Sequence, residues 1–271
     1  MKRTVRQKVR PMPLLLAVLC LAVSAWPAFA SEPILRDDLN VIFERHDAIG
    51  AFAHYDVAAD RLTLVNAVRA AKPFVPASTF KIANSLIALE TGAVRDENEV
   101  IPYGGKPQRI KAWERDMSMR EAIVVSNVPV YQEIARRVGL DRYAEWLERL
   151  NYGTRQTGSE VENFWLEGPL EISTTEQVKF LALLAEGKLN ASRSSQDTVR
   201  NLLLLEDRNG VKLYGKTGWQ PPVGWWVGWV EKEGKVFTFA LNMDLTEAAD
   251  APKRITIGKA LLHHLGVYED G

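Results

Sequence analysis

At 271 residues, with 34 basic and 34 acidic side chains, the chain is long enough to bury a full hydrophobic core and has no basic excess to favour nucleic acid. Its one cysteine, Cys20, excludes an intramolecular disulfide framework. The first thirty residues stand apart from the fold. Lys2, Arg3, Arg6, Lys8 and Arg10 make a positive stretch, Leu14–Trp26 is an apolar run, and Ala28-Phe29-Ala30 has the small-x-small pattern of a cleavage site. Together they predict a secretory signal peptide, residues 1–30, cut before Ser31. The apolar run is shorter than the ~20 residues that a spanning helix needs, and Leu19 ahead of Cys20 argues against a lipid anchor. Cleavage leaves 241 residues with 29 basic against 34 acidic side chains, a net charge of −5. The expected product is a periplasmic protein with no membrane attachment after cleavage and no thiol chemistry.

Ala51–Asn66 reads as two short strands around a turn at Ala59-Asp60. In Pro76–Val94 the apolar residues Ile82, Ala83, Leu86, Ile87 and Leu89 follow a helical period. Ser78 and Lys81 stand three apart at its front, so hydroxyl and amine share a face. From about Ala93 to Leu205 the pattern is mostly helical. Leu140, Tyr143, Ala144, Leu147 and Leu150 form one stripe, and the helix from Thr174 ends at Gly187. Pro129, after Ser126-Asn127-Val128, predicts a helix break that leaves Ser126 on an exposed corner. Strands return at Val211–Gly218, Trp225–Val230 and Val236–Met243, the last two joined by a hairpin at Glu233-Gly234, and Pro252–Leu265 reads as a closing helix. The expected fold class is α/β in the α+β sense: a central antiparallel sheet with flanking helices (about residues 31–92 and 206–271) and an inserted all-helical subdomain (about 93–205). A cleft between the two parts is the natural ligand site. Trp225, Trp226 and Trp229 read as core.

Ser-x-x-Lys alone is weak: Ser78 could cap its helix and Lys81 could snorkel to solvent. Ser126-Asn127-Val128, 48 residues after Ser78, and Lys216-Thr217-Gly218, 90 residues further on, strengthen it. That order is the one found in serine penicillin-recognising enzymes. A serine hydroxyl needs an adjacent base, and a lysine, with pKa about 10.4, becomes one only where apolar burial lowers it. Phe80, Val128, Trp165 and Leu166 are the candidate apolar wall.

From Ala51 to Leu265 the chain resembles the class D β-lactamases, the oxacillinase family. Beyond Ser78-Thr79-Phe80-Lys81, the tracts Tyr103–Gln108, Asn163–Ser173 and Gly224–Trp229 are similar to that family's. Tyr152-Gly153-Thr154 departs from its usual Tyr-Gly-Asn. The resemblance implies a penicillin-recognising serine enzyme fold and hydrolysis of a penicillin-type β-lactam through an acyl-enzyme on Ser78, which confers antibiotic resistance. It implies that Lys81 is carboxylated by CO2 and acts as general base, held by the Trp165 indole, with no metal and no other cofactor. By the same resemblance Ser126 relays a proton to the departing nitrogen. Lys216, Thr217, Gly218 and Arg254 bind the substrate and its carboxylate, the backbone N–H groups of Ser78 and Trp219 form an oxyanion hole, and Val128 and Leu166 flank the deacylating water. On composition alone, Trp165 as loop packing, Ser126 as a helix cap and Arg254 as a solvated surface residue remain open. A monomer or homodimer is expected.

Three other readings compete. Glu186-Gly187-Lys188-Leu189-Asn190 fits the Glu-x-x-Leu-Asn of class A β-lactamases, but it follows a strong helix whose end Gly187 suits. No Gly-x-Ser-x-Gly occurs for a Ser–His–Asp hydrolase, and His263-His264 cannot share a helix face as metal ligands would. A penicillin-binding sensor domain or a transpeptidase, acylated without turnover, is the main alternative.

Overall fold

The computed structural model describes residues 31–269; the expected signal peptide lies outside them. The elements in chain order are β1 (Ile34–Leu35), α1 (Asn40–Glu44), β2 (Gly50–Asp56), β3 (Arg61–Val65), α2 (Ala67–Ala71), α3 (Lys81–Glu90), β4 (Val100–Ile101), β5 (Met117–Ser118), α4 (Met119–Val124), α5 (Val128–Val138), α6 (Leu140–Leu150), α7 (Thr174–Glu186), α8 (Arg193–Leu203), β6 (Leu204–Arg208), β7 (Val211–Gln220), β8 (Val223–Lys232), β9 (Lys235–Asp244) and α9 (Lys253–His264). Among the described residues, seven strands form one sheet in the order β1-β3-β2-β9-β8-β7-β6, antiparallel except for the parallel β1–β3 pair. The expected mixed architecture is present, but the stretch 93–205 is not all helical, because β4 and β5 pair within it, Val100↔Ser118 and Ile101↔Met117. The two ends of the chain meet where β2 pairs with β9, from Gly50↔Met243 to Asp56↔Phe237.

The sheet separates two cores because side chains on a strand alternate between its faces. On β8, Trp225, Val227 and Trp229 pack with residues of α3 to α8, whereas Trp226 and Val230 pack with α1 and α9. All three tryptophans are buried. The β8–β9 hairpin turns through Glu233 at φ 52° and Gly234 at φ 73°. Two successive positive φ values match the right-handed twist of the strands they join. Helix ends follow local chemistry. Ser118 with Glu121 and Ser173 with Glu176 form capping boxes for α4 and α7, and α7 stops at left-handed Gly187. α7, in the middle of the mostly helical stretch, lies on the sheet: Thr238 Oγ1 of β9 donates to Val178 O at 2.9 Å. Among the described residues, no helix is long and apolar enough to cross a membrane.

α9 approaches the sheet through Gly258. A Cβ there would stand 2.2 and 2.5 Å from two carbons of the Trp226 ring. Gly258→Ala should therefore destabilise the fold by about 1–2 kcal/mol, although alanine favours a helix by roughly 1 kcal/mol. The shift of the denaturant midpoint measures it.

His54 on β2 is buried, stacked on Phe237 at 5.9 Å, and neither ring nitrogen has a hydrogen-bond partner. Burial pushes its pKa down to about 4, against a weaker opposing pull from Asp56. The unfolded chain, with pKa about 6.5, takes up a proton first as the pH falls. The stability of the neutral, buried ring is therefore present above about 6.5 and is lost progressively down to about 4, by an amount on the order of 3 kcal/mol. Denaturation curves between pH 7 and 4 should show this acid limb, and His54→Leu should flatten it.

Candidate active site

Residues Ala77–Phe80 form a single 3-10 turn that runs directly into α3. At three residues per turn, positions i and i+3 eclipse. Lys81 Nζ accordingly donates to Ser78 Oγ at 2.8 Å. The chain enters this turn through Ala77 at φ 50°, a left-handed conformation that costs a β-carbon residue roughly 1 kcal/mol or more. Its surroundings hold it there. The Ala77 N–H donates to Trp165 O at 2.9 Å, Thr79 Oγ1 donates to Pro76 O at 2.7 Å, and Gln177 Nε2 donates to Thr79 Oγ1 at 3.0 Å.

Lys81 is fully buried. Phe80 beside it stacks on Trp165 with ring centres 5.6 Å apart and meets Phe164 edge-on at 5.3 Å. The Tyr131 ring, which was not among the expected walls, lies 5.2 Å from the amine. Burial drives the Lys81 pKa far below that of a free lysine, and the nearby Lys216 charge lowers it further. Close to this cluster the Trp165 indole Nε1 is buried with no hydrogen-bond partner. An unpaired buried donor costs about 1–3 kcal/mol.

α4 ends at Val124, and Ser126 turns the chain at φ 54° before Asn127 caps α5 by accepting from the Val130 N–H at 3.0 Å. Pro129 thus begins a helix rather than breaking one, since its missing N–H is of no consequence in a first turn. Ser126 is half-buried, not exposed, and its Oγ accepts from Lys216 Nζ at 3.0 Å.

Lys216, Thr217, Gly218 and Trp219 lie on β7, whose pairing with β6 stops at Leu204↔Tyr214. Beyond Tyr214, β7 pairs only with β8, and its other edge faces the serine turn. Gly218 suits that approach: a Cβ there would stand a tight 3.0 Å from Pro76 O and 3.2 Å from Thr79 N. Burial, with a smaller effect from Arg254, pushes Lys216 down to about 7. Arg254, on α9, donates through Nη1 to Gly218 O at 2.6 Å and through Nε to Ala251 O at 2.8 Å. Burial lowers its pKa to about 10.

A cavity of about 360 Å³ opens above these groups, lined by Ser78, Ser126, Val128, Leu166, Thr217, Gly218, Trp219, Gln220 and Arg254. Lys81, Trp165 and Lys216 are buried outside that lining, with the Lys81 and Lys216 amines on Ser78 and Ser126. Four lining residues escaped the sequence analysis: Arg109, Ile110, Trp113 and Val125. The available signals were position alone: Arg109, Ile110 and Trp113 follow Tyr103–Gln108, a tract that itself borders a neighbouring hollow, and Val125 directly precedes Ser126. None of the described lining residues is acidic. The cleft therefore suits an anionic ligand beside a nucleophile.

Glu186 lies elsewhere, paired with Lys188 at 2.9 Å on a separate hollow of about 490 Å³ between β2, α6 and α7. Thr154 ties down the loop that carries Trp165: its Oγ1 accepts from the Glu171 N–H at 3.0 Å and donates to Pro169 O at 3.2 Å. His263 and His264 are exposed on α9, and no cluster of metal-ligating side chains occurs among the described residues.

Residues 48–263 match the family described as the penicillin binding protein transpeptidase domain. The chain is 41% identical over 239 residues to β-lactamase OXA-5 of Pseudomonas aeruginosa, covering 86% of this chain and 90% of that one. It is 37% identical over 258 residues to β-lactamase OXA-48 of Klebsiella pneumoniae, covering 94% and 97%. Among solved structures it is similar to the class D β-lactamase FUS-1 (OXA-85) of Fusobacterium nucleatum subsp. polymorphum, with a TM-score of 0.84 and 40% identity over 86% of this chain and 99% of that one. With identity sustained over nearly all of the described residues, and with a buried lysine on a serine that lines a cationic cleft, the chain belongs to the class D β-lactamases.

Proposed function

We propose that the chain is a periplasmic serine β-lactamase that opens the lactam amide of penicillin-type antibiotics through an acyl-enzyme on Ser78 and so confers resistance to them. The observation that carries this reading is the 2.8 Å contact between a nucleophilic hydroxyl and an amine stripped of water. An amine that has lost its proton can add CO2, and the surroundings of Lys81 fit the resulting carboxylate. The Trp165 Nε1 is a buried donor lacking an acceptor, Lys216 supplies a nearby positive charge, and no acid competes within the described lining. That carboxylate would supply the general base for acylation and for water attack.

The remaining roles are assigned to groups around the same cavity. Ser78 Oγ attacks the lactam carbonyl, and the N–H groups of Ser78 and Trp219 receive the developing oxyanion. Ser126 already accepts from Lys216, which leaves its own O–H proton available to the departing nitrogen. Lys216, Thr217 and Arg254 take the substrate carboxylate, for which a guanidinium offers two-point contact. Gly218 lets β7 lie against the serine turn, and Val128 and Leu166 shape the space beside Ser78 that a hydrolytic water enters.

The match to a transpeptidase domain keeps one rival in play, an enzyme acylated without release. Steady-state hydrolysis of benzylpenicillin separates the two: many turnovers per serine support the proposal, and a single slow equivalent overturns it. Lys81→Ala should lose at least about a thousandfold in kcat, with no rescue by bicarbonate. Carbon-13 NMR under labelled bicarbonate should show an adduct in the wild type that is absent from Lys81→Ala. Trp165→Phe keeps the ring but removes the donor, so its activity should fall and recover as bicarbonate is raised. An activity independent of bicarbonate in both proteins would count against Lys81 carboxylation.

A further inference from the structure

The cleft holds one more positive charge than a simple penicillin can use. Arg254 and Lys216 are tied to Gly218 O, Ser126 and Thr217 O beside Ser78, where the single carboxylate of the bicyclic nucleus would be met. Arg109 lines the same cavity from the segment between β4 and α4. It is exposed, and its guanidinium carbon lies 5.6 Å from the centre of the Trp219 ring, within cation–π range. The Trp219 ring is itself held, because its Nε1 donates to Leu245 O at 3.0 Å. Arg109 makes no ion pair or hydrogen bond among the described residues, so its N–H fork is unused. A guanidinium therefore lies over an anchored ring in a cleft whose described lining contains no acid.

We infer that Arg109 is a specificity-determining residue that engages a second negative charge, a carboxylate on the acyl side chain of the β-lactam. This rests on the β-lactamase reading above. The Arg109–Trp219 stack joins the helical side of the cleft to the end of β7 and orients the fork with little loss of side-chain freedom on binding. A substrate with a neutral side chain leaves the fork to water. A side-chain carboxylate gives it a partner that none of the described residues lining the cleft can supply.

Benzylpenicillin and α-carboxybenzylpenicillin differ by that one group and serve as the probes. The ratio of their kcat/KM values, carboxylated over plain, should fall roughly fivefold in Arg109→Gln, carried by KM rather than kcat. Arg109→Lys should keep much of the ratio, and Arg109→Glu should lower it further. The preference should also fade at ionic strengths that cut the screening length to about 3 Å. An unchanged ratio in both Arg109→Gln and Arg109→Glu overturns the inference, as does an equal change on both substrates. If the wild type turns over neither penicillin, the functional reading fails on its own. Calorimetric affinity of the two compounds for Ser78→Ala, with and without Arg109→Gln, then reads the same ratio without hydrolysis.

Discussion

An amine shut away from water, with no carboxylate partner among the described residues, is the constraint around which this molecule is arranged. Lys81 opens α3 where a leucine would pack, and among the described residues its amine hydrogen-bonds only to Ser78 Oγ. Keeping it there is unfavourable for the charged form, and the offset comes from its neighbours. Phe80, Trp165, Phe164, Tyr143, Tyr152 and Phe180 form a continuous set of ring contacts at centre distances of 4.9 to 6.0 Å. Such pairs contribute beyond the area they bury. The stiffness of that cluster keeps the amine from turning outward to solvent, so chemistry and stability draw on the same residues.

The cations are linked in series. Arg254 depresses Lys216, and Lys216 depresses Lys81, each after its own burial has done most of the work. A negative charge arriving anywhere along this line relieves the rest. An anion on Lys81 would favour the ammonium form of Lys216, which in turn would strengthen its hold on a substrate carboxylate and on Ser126. By reciprocity, a bound substrate carboxylate would favour an anion on Lys81.

Much of this is legible in local sequence pattern. The hydrophobic period marked α3, α6 and α7, the turn residues marked the β8–β9 hairpin, and the eclipsed Ser78–Lys81 pair followed from a spacing of three. What stayed hidden depends on distant partners. An apolar stripe says that α7 buries a face but not that the face meets β9. Proline marks a boundary without saying on which side the helix lies, so Pro129 reads in the sequence as a terminator and stands in the structure in a first turn. Tyr131 reaches the amine, and Arg109 reaches Trp219, only once the whole chain is folded. The left-handed backbone at Ala77 and Ser126 has no signature, because neither residue favours it.

The pairing of β2 with β9 joins residues almost two hundred positions apart, Gly50 with Met243. Until the C-terminal hairpin has been synthesised, β2 has no neighbour on that side, and the platform under Ser78 cannot close. Long-range pairing of this kind is paid late in folding and makes it slow. A chain truncated anywhere before β9 would thus be no smaller version of the enzyme: it would leave a bare strand edge and open apolar faces, the combination that drives aggregation. The segment from Lys235 onward acts as the keystone of an arch, inert until placed and indispensable afterwards.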